Sequence, residues 1–450
     1  MTADVAVIGG GLSGLAAAVD SARRGLSVAL CEQAPRLGGR CYSYVDKTTG
    51  DIVDNGQHVL LGAYKSTLKY LELTGTRFLL KEEPSLRLPL HHPRKGFAAF
   101  EVSALPKPFH LTAGMLKFKL LTLGDRRRLL NVGLQLHRWG SAVEKKLSSL
   151  TVSEWLEGSN QSPEARKCLW YPIAISVMNE LPQRASALLF ARSLRSAFLG
   201  SKSDSAVLLP IVGQTELYVQ GAERYLARKG ARVLKNTEVT AVGVESQDRL
   251  TLDLKSGGRI RARSVISAVP HFALQKMLPR GTRKTEPFAS LPQFTDSPIV
   301  SVHLWFDREF MDADYVGLIG GGLQWVFNRR RIMNQTDRQG SFLSAVVSAA
   351  HLRIRWPREK LVFAAVEELR HTFSDFGKSR LLHSVVIKER RATFSATNAA
   401  EALRPSSRSP LRNFYLAGDW TDTGLPATIE GAIRSGFAAA EAVACDHPGS

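Results

Sequence analysis

Ten residues near the N-terminus constrain this chain most. Val5-Ala6-Val7-Ile8 runs straight into Gly9-Gly10-Gly11-Leu12-Ser13-Gly14. The apolar run reads as a strand buried on both faces of a parallel sheet. Gly9, Gly11 and Gly14 fit G-x-G-x-x-G. An alanine-rich stretch over residues 15–24 reads as a helix closed by Gly25, and residues 27–31 read as a second strand. Glu32 ends that strand, 18 residues after Gly14. Glycines permit the tight turn and the approach of backbone amides to a pyrophosphate. The helix N-terminus adds unpaired N–H groups and the positive end of its dipole, and a carboxylate at the second strand end can accept ribose hydroxyl hydrogens. The expectation is dinucleotide binding by Gly9, Gly10, Gly11, Leu12, Ser13, Gly14 and Glu32.

Length and composition bound the rest. With 450 residues, 44% hydrophobic and 22% charged, the chain has room for two or three domains and is neither disordered nor fibrous. Lys and Arg number 60 against 41 Asp and Glu, a net charge of +19. That excess favours a nucleic acid, an anionic membrane surface or an acidic ligand. No helix-turn-helix, finger or RNP-type aromatic pattern accompanies it, so nucleic acid is set aside. Cys31, Cys41, Cys168 and Cys445 are scattered without metal or redox spacing, so no metal is expected and free thiols in a reducing compartment are. The first residues lack signal-peptide character, and no apolar run approaches the ~20 residues needed to span a bilayer.

Two further blocks carry chemistry. Arg36-Leu37-Gly38-Gly39-Arg40 follows Glu32 and offers another close backbone approach and a cation for phosphate. Near the C-terminus, residues 413–420 read as a strand ending in Gly418-Asp419, and a small-residue helix opens at residues 427–432. This is a second strand–turn–helix whose helix start can face an anion or an electron-rich ring. Between them, residues 231–234, 238–244, 250–254 and 265–270 alternate or run apolar like strands. A strand-like run at 299–306 and a helical stretch near 361–373 lie in a second insertion. Pro84, Pro89 and Pro93 mark an irregular connection early in a first, mostly helical insertion.

The glycine-rich unit followed by a Gly-Gly-Arg segment resembles the FAD-binding signature of the amine oxidase and carotenoid desaturase superfamily. That resemblance implies an α/β fold: a Rossmann-type FAD-binding domain built from discontinuous segments (1–72, 207–270 and 386–450), with an inserted α+β substrate domain (73–206 and 271–385). FAD is the implied cofactor. It would be held by the first glycine loop, Glu32, Gly39 and Arg40, by Val239 against the adenine, and by Gly418, Asp419 and Ile429.

A closer resemblance follows. Asp54-Asn55-Gly56-Gln57-His58-Val59-Leu60-Leu61-Gly62-Ala63-Tyr64, Leu169-Trp170-Tyr171-Pro172-Ile173, residues 389–395 and residues 419–432 are similar to blocks of the squalene-associated FAD-dependent desaturases, also called hydroxysqualene dehydroxylases. Met178-Asn179-Glu180 departs from that family's usual Leu-Asn-Thr. The resemblance implies reduction of hydroxysqualene, a C30 isoprenoid, to squalene with loss of water, in bacterial squalene and hopanoid biosynthesis. It also implies an electron donor that nothing in the sequence identifies. Gly56, Gln57 and His58 would approach the flavin. His58 is the first candidate for the proton donor or for positioning the departing hydroxyl; a structural histidine bonded to backbone is the alternative. Asp54 and Glu180 are lesser candidates, the first otherwise a turn residue and the second otherwise solvated. The alternative functions are a carotenoid (phytoene-type) desaturase, a flavin amine oxidase, or a non-catalytic flavoprotein presenting isoprenoids.

Finally, Leu116, Leu120, Leu123, Leu130 and Leu134 recur at helical spacing among Lys117, Lys119, Arg126, Arg127 and Arg128. Such a segment suits an anionic membrane surface. It equally suits a helix that buries its leucines. With a C30 substrate, the expected location is the cytoplasm, peripheral on the inner face of the bacterial membrane.

Overall fold

The computed structural model describes residues 1–83, 86–102, 114–335 and 337–447. The strand Thr2–Ile8 lies at the heart of the first sheet. Val28–Cys31 and then Arg232–Leu234 pair parallel on one side of it, and Arg259–Ser267 pairs parallel on the other. Phe414–Leu416 adds parallel to the end of Arg259–Ser267, while Arg249–Leu254 and Val239–Ser246 continue the sheet antiparallel. Chain segments far apart in sequence thus share one sheet, and the carboxyl ends of Thr2–Ile8, Val28–Cys31, Arg259–Ser267 and Phe414–Leu416 converge, the usual location of ligands in such sheets.

Two helices cover this sheet. Leu12–Arg23 is buried from Leu12 to Ala22. Ile429–Asp446 packs across it through small residues: a Cβ added to Gly436 would stand 2.2 Å from the Ser13 carbonyl oxygen. The alanine and glycine content of both helices permits that approach. Glu430, fully buried, accepts from the Ser66 and Thr67 amides and the Thr67 hydroxyl, capping the helix Lys65–Thr74.

The second sheet runs in the order Leu381–Phe394, Asp296–Phe306, Ser341–Val347, Trp325–Asn328, Tyr315–Leu318, Arg87–His92, Gly96–Glu101. Along Asp296–Phe306 the side chains alternate. Val300, Val302 and Leu304 join a core with Leu361, Ala365 and Leu369 of the helix Arg358–Thr372. Ile299 and Ser301 turn the other way, towards a cavity between the sheets.

Several expectations are corrected here. The boundary at 386 falls inside the strand Leu381–Phe394, whose pairing with Asp296–Phe306 continues to Phe394. The first insertion opens with strands before its helices. Pro89 sits within Arg87–His92, and Pro93 sits in the turn to Gly96–Glu101, so these prolines belong to a hairpin. Pro84 lies outside the described residues. The leucine-rich stretch is broken: residues 114–117 form one helical turn, and after a gap a separate helix begins at Leu123, capped by Thr122, whose hydroxyl accepts from the Asp125 amide. The four cysteines are unpaired.

Candidate active site

The turn after Thr2–Ile8 is shaped by its glycines. Gly9 has φ +100°, and a Cβ on Gly14 would stand 1.9 Å from the Gly9 carbonyl oxygen. A Cβ on Gly11 would meet nothing within 4 Å, because Gly11 faces open cavity. Gly9 and Gly14 are required by the turn itself, and the space at Gly11 leaves the backbone open to a ligand. Gly38 and Gly39 also have positive φ, and Gly39 packs on Gly11. Glu32 accepts from the Gly10 amide at 2.7 Å and the Ala34 amide at 2.8 Å, so its carboxylate is locked at the strand end. Arg40 pairs with Asp419 at 2.8 Å.

These groups line one end of a cavity of about 1000 Å³. Gly9, Gly11, Leu12, Ser13, Glu32, Gly39, Arg40, Gly56, Gln57, His58, Val239, Gly418, Asp419 and Ile429 all border it. Gly10 and Gly14 do not; they shape the turn from behind. The donor set fits FAD: a glycine cradle with a helix start for a diphosphate, a carboxylate at a strand end for a ribose, and a second helix start at Ile429. The same cavity has an apolar part, an arm of its lining formed by Leu61, Leu86, Leu88, Ile173, Val177 and Phe198. No lysine lines the cavity among the described residues.

The acid candidates separate. His58 borders the cavity, and neither ring nitrogen bonds a protein group among the described residues. It is therefore not the backbone-bonded histidine that was the alternative reading. Burial pushes its pKa below the usual histidine range, with Asp54 opposing, so the neutral imidazole dominates at neutral pH.

Asp54 and Glu180 do not border the cavity. Asp54 is buried, pairs with Arg329 at 2.9 Å, and accepts from the Ser43 hydroxyl and the Gln214 amide. Its oxygens are consumed by structure. Glu180 is fully buried, not solvated: it accepts from the Leu181 amide at 2.9 Å, lies 3.1 Å from His351 Nε2, and also bonds the Ser395 hydroxyl. Its neighbour Asn179 is the wall residue. Asn179 ends the helix Tyr171–Met178 in the left-handed conformation, φ 47°, which asparagine tolerates. Its side chain donates to Thr393 Oγ1 at 2.9 Å and accepts from the Ala349 amide at 2.7 Å.

Sequence reasoning missed the residues that hold this site from behind. Arg329 is 1% exposed and donates to Gln57 Oε1 at 2.6 Å while pairing with Asp54, so one guanidinium ties down both ends of the segment that presents His58. Arg404, also buried, donates to the Leu425 carbonyl at 2.8 Å, to Thr423 Oγ1 at 2.9 Å and to the carbonyls of Asp419 and Thr421. It braces the turn that carries Asp419. Ser301 borders the cavity with an unpartnered hydroxyl, and His303 lies behind it, buried against the Asp54 backbone. An arginine between two strands carries no local signal of such work.

One other cluster deserves a chemical reading. His92, Glu164 and Cys168 bring ligand-type atoms within 4.8 Å of one another. The Lys95 ammonium stands 2.5 Å from Glu164, and His92 Nδ1 accepts from the Arg94 and Lys95 amides. The carboxylate already has its cation, and the ring orientation leaves Nε2 as the protonated nitrogen.

Comparison with known proteins agrees with this geometry. Residues 12–444 match the family model of flavin containing amine oxidoreductases. A hydroxysqualene dehydroxylase of Rhodopseudomonas palustris is 32% identical over 98% of this chain and 99% of its own. Another, of Sinorhizobium fredii, is 28% identical over 98% of each. A 15-cis-phytoene desaturase of Synechococcus elongatus is 25% identical over 98% of this chain and 95% of its own. A putrescine oxidase solved with putrescine superposes with a TM-score of 0.72 at 17% identity, covering 99% of each chain. The protein is an FAD-dependent oxidoreductase, and the chain belongs to the flavin containing amine oxidoreductase family.

Proposed function

We propose that the protein reduces hydroxysqualene to squalene with loss of water. The observation that carries this reading is that the dinucleotide cradle, His58 and a set of apolar side chains all border one cavity. Aliphatic and aromatic walls suit a polyprenyl chain, whose desolvation is favourable by about 25 cal/mol per Å² buried. The absence of a lining lysine among the described residues counts against an amine substrate. The relatives named hydroxysqualene dehydroxylases support the same substrate.

Reduced FAD, when bound, supplies the two electrons and the hydrogen that replace the hydroxyl. The protein's own part is orientation, dryness and a proton. The apolar arm fixes the chain and excludes water from the allylic centre. The ring of His58 would hold the hydroxyl through an N–H, and the one proton with which the oxygen leaves as water would be taken up from solvent through the protonated ring, the form that burial makes the minor one. The structural work of Arg329 on Gln57 and Asp54 keeps that ring in place.

Anaerobic incubation of photoreduced holoenzyme with hydroxysqualene tests the reading. Stoichiometric squalene with flavin reoxidation is expected. Failure to form squalene, combined with reduction of oxidised flavin by phytoene, would assign the desaturase reaction instead.

A further inference from the structure

The helix Leu123–His137 carries apolar residues on two opposite sides. Asp125, Leu129, Val132 and Leu136 recur at helical spacing and are buried in the protein. Leu123, Leu130 and Leu134 recur at the same spacing about half a turn away. Leu123 is 69% exposed and Leu134 53%, and Leu116, just before the helix, is 41% exposed. The inner stripe is sufficient to hold the helix on the fold. An outer leucine stripe has no folding role and marks a contact surface. The segment thus combines both readings of its sequence: some leucines are buried, including Leu120, and others are presented outward.

Cations surround the outer leucines. Arg127 and Arg138 lie on the same side of the helix, and Lys117 and Lys119 flank Leu116 in sequence. All are exposed, and none is paired with an acid among the described residues. The only acid between residues 114 and 140 is Asp125, which is buried and paired with Arg128. The surface is therefore apolar and positive.

Its position is also informative. Arg126 donates to the Leu116 and Leu121 carbonyls, fastening the preceding turn to the helix. Gly114 lies against the backbone at Glu101, and the Val102 amide donates to the Leu86 carbonyl at 2.9 Å. Leu86 and Leu88 line the apolar arm. The leucine face thus adjoins the wall of the apolar arm.

We propose that the face formed by Leu116, Leu123, Leu130 and Leu134 with Lys117, Lys119, Arg127 and Arg138 docks the protein on an anionic lipid bilayer. The leucines enter the headgroup boundary and the cations meet anionic lipid. No helix among the described residues is long and apolar enough to cross a membrane, so the attachment is in-plane. The use of this surface, delivery of an apolar substrate, rests on the polyprenyl reading above; the docking itself does not.

The test is flotation of the full-length holoenzyme with phosphatidylglycerol/phosphatidylcholine vesicles, and with phosphatidylcholine alone. Wild type is expected to float with the anionic vesicles and to be released by salt. Leu123→Glu/Leu134→Glu should weaken binding by about tenfold or more, with flavin absorbance and melting temperature unchanged because both side chains face outward. Leu352→Glu/Phe363→Glu, equally exposed elsewhere, should float as wild type does. Absence of binding to anionic vesicles at low salt would overturn the proposal, as would equal binding by the Leu123/Leu134 variant. So would a dimer in light scattering that the same variant dissolves, since that assigns the face to a second copy. Turnover of detergent-dispersed hydroxysqualene is measured in parallel: its failure would speak against the substrate and leave the vesicle result standing.

Discussion

Arg329 and Asp54 form an ion pair at 2.9 Å with both side chains shut off from solvent. Two buried charges stabilise a fold only when each is matched, and removing one strands the other in a medium that cannot solvate it. The same guanidinium holds Gln57 at 2.6 Å. Stability and site geometry therefore depend on one side chain.

Replacing Arg329 by Met is expected to lower unfolding free energy by about 3–5 kcal/mol, read from urea denaturation of the holoenzyme. Adding Asp54→Asn to that background should recover part of the loss, because the stranded charge is gone. Strictly additive losses in the double variant would show that the pair is not coupled. Arg329→Lys keeps the charge and loses the bridge to Gln57. It should retain more stability than the Met variant while its turnover still falls.

His58 presents unpartnered ring nitrogens to the cavity that the cradle and the apolar side chains share. His58→Leu is expected to reduce turnover by about 10²-fold or more, with flavin content and visible spectrum unchanged. His58→Gln, which keeps a donor, should lose less. Undiminished turnover by His58→Leu with pre-reduced FAD would remove His58 from the reaction.

His303 gives a pH signature separate from catalysis. Burial, with Arg329 nearby, pushes its pKa from the ordinary 6.5 down to about 3. The folded state thus binds the proton less readily than the unfolded chain does. Its contribution is fully present above pH 6.5 and is lost as pH falls from there towards 3. Within that window each such group changes stability by about 1.4 kcal/mol per pH unit. His303→Leu should flatten the acid limb of a stability–pH curve by roughly one proton. An unchanged slope would mean that His303 is protonated in the fold.

What the sequence made legible was local. The strand, glycine turn, helix and acidic strand end from Val5 to Glu32 form one contiguous unit, in which Gly9, Gly10 and Gly14 have steric reasons within the protein and Gly11 leaves the cavity open. The strand and helix around Asp419 were readable for the same reason. Arg329 and Arg404 were not, because Asp54 lies 275 residues from the first, the carbonyls that the second braces lie 15 or more residues from it, and an arginine looks the same whether solvated or buried. The exchange of strands was hidden too. Leu381–Phe394 is mostly half-buried or exposed with no regular alternation, so nothing in its pattern shows to which of the two sheets it belongs. Glu180 was a lesser candidate acid with a solvated glutamate as the alternative, and its burial against His351 and Ser395 fits neither, since only the fold brings those partners near.

The apolar arm offers the most direct check on substrate. Val177 lines it from the helix Tyr171–Met178, an element that contributes no residue to the dinucleotide cradle. Val177→Trp fills space along the arm without touching a polar group of the site. A long substrate must then bend or withdraw, and the binding energy of its remote carbons no longer positions the allylic centre. The expected result is a kcat/KM for hydroxysqualene reduced by about 10–10²-fold, while a ten-carbon allylic alcohol, too short to reach Val177, is affected little. Flavin content should stay as in wild type. Equal losses for long and short alcohols would place the substrate elsewhere in the cavity, and no loss for either would remove the arm from substrate binding altogether.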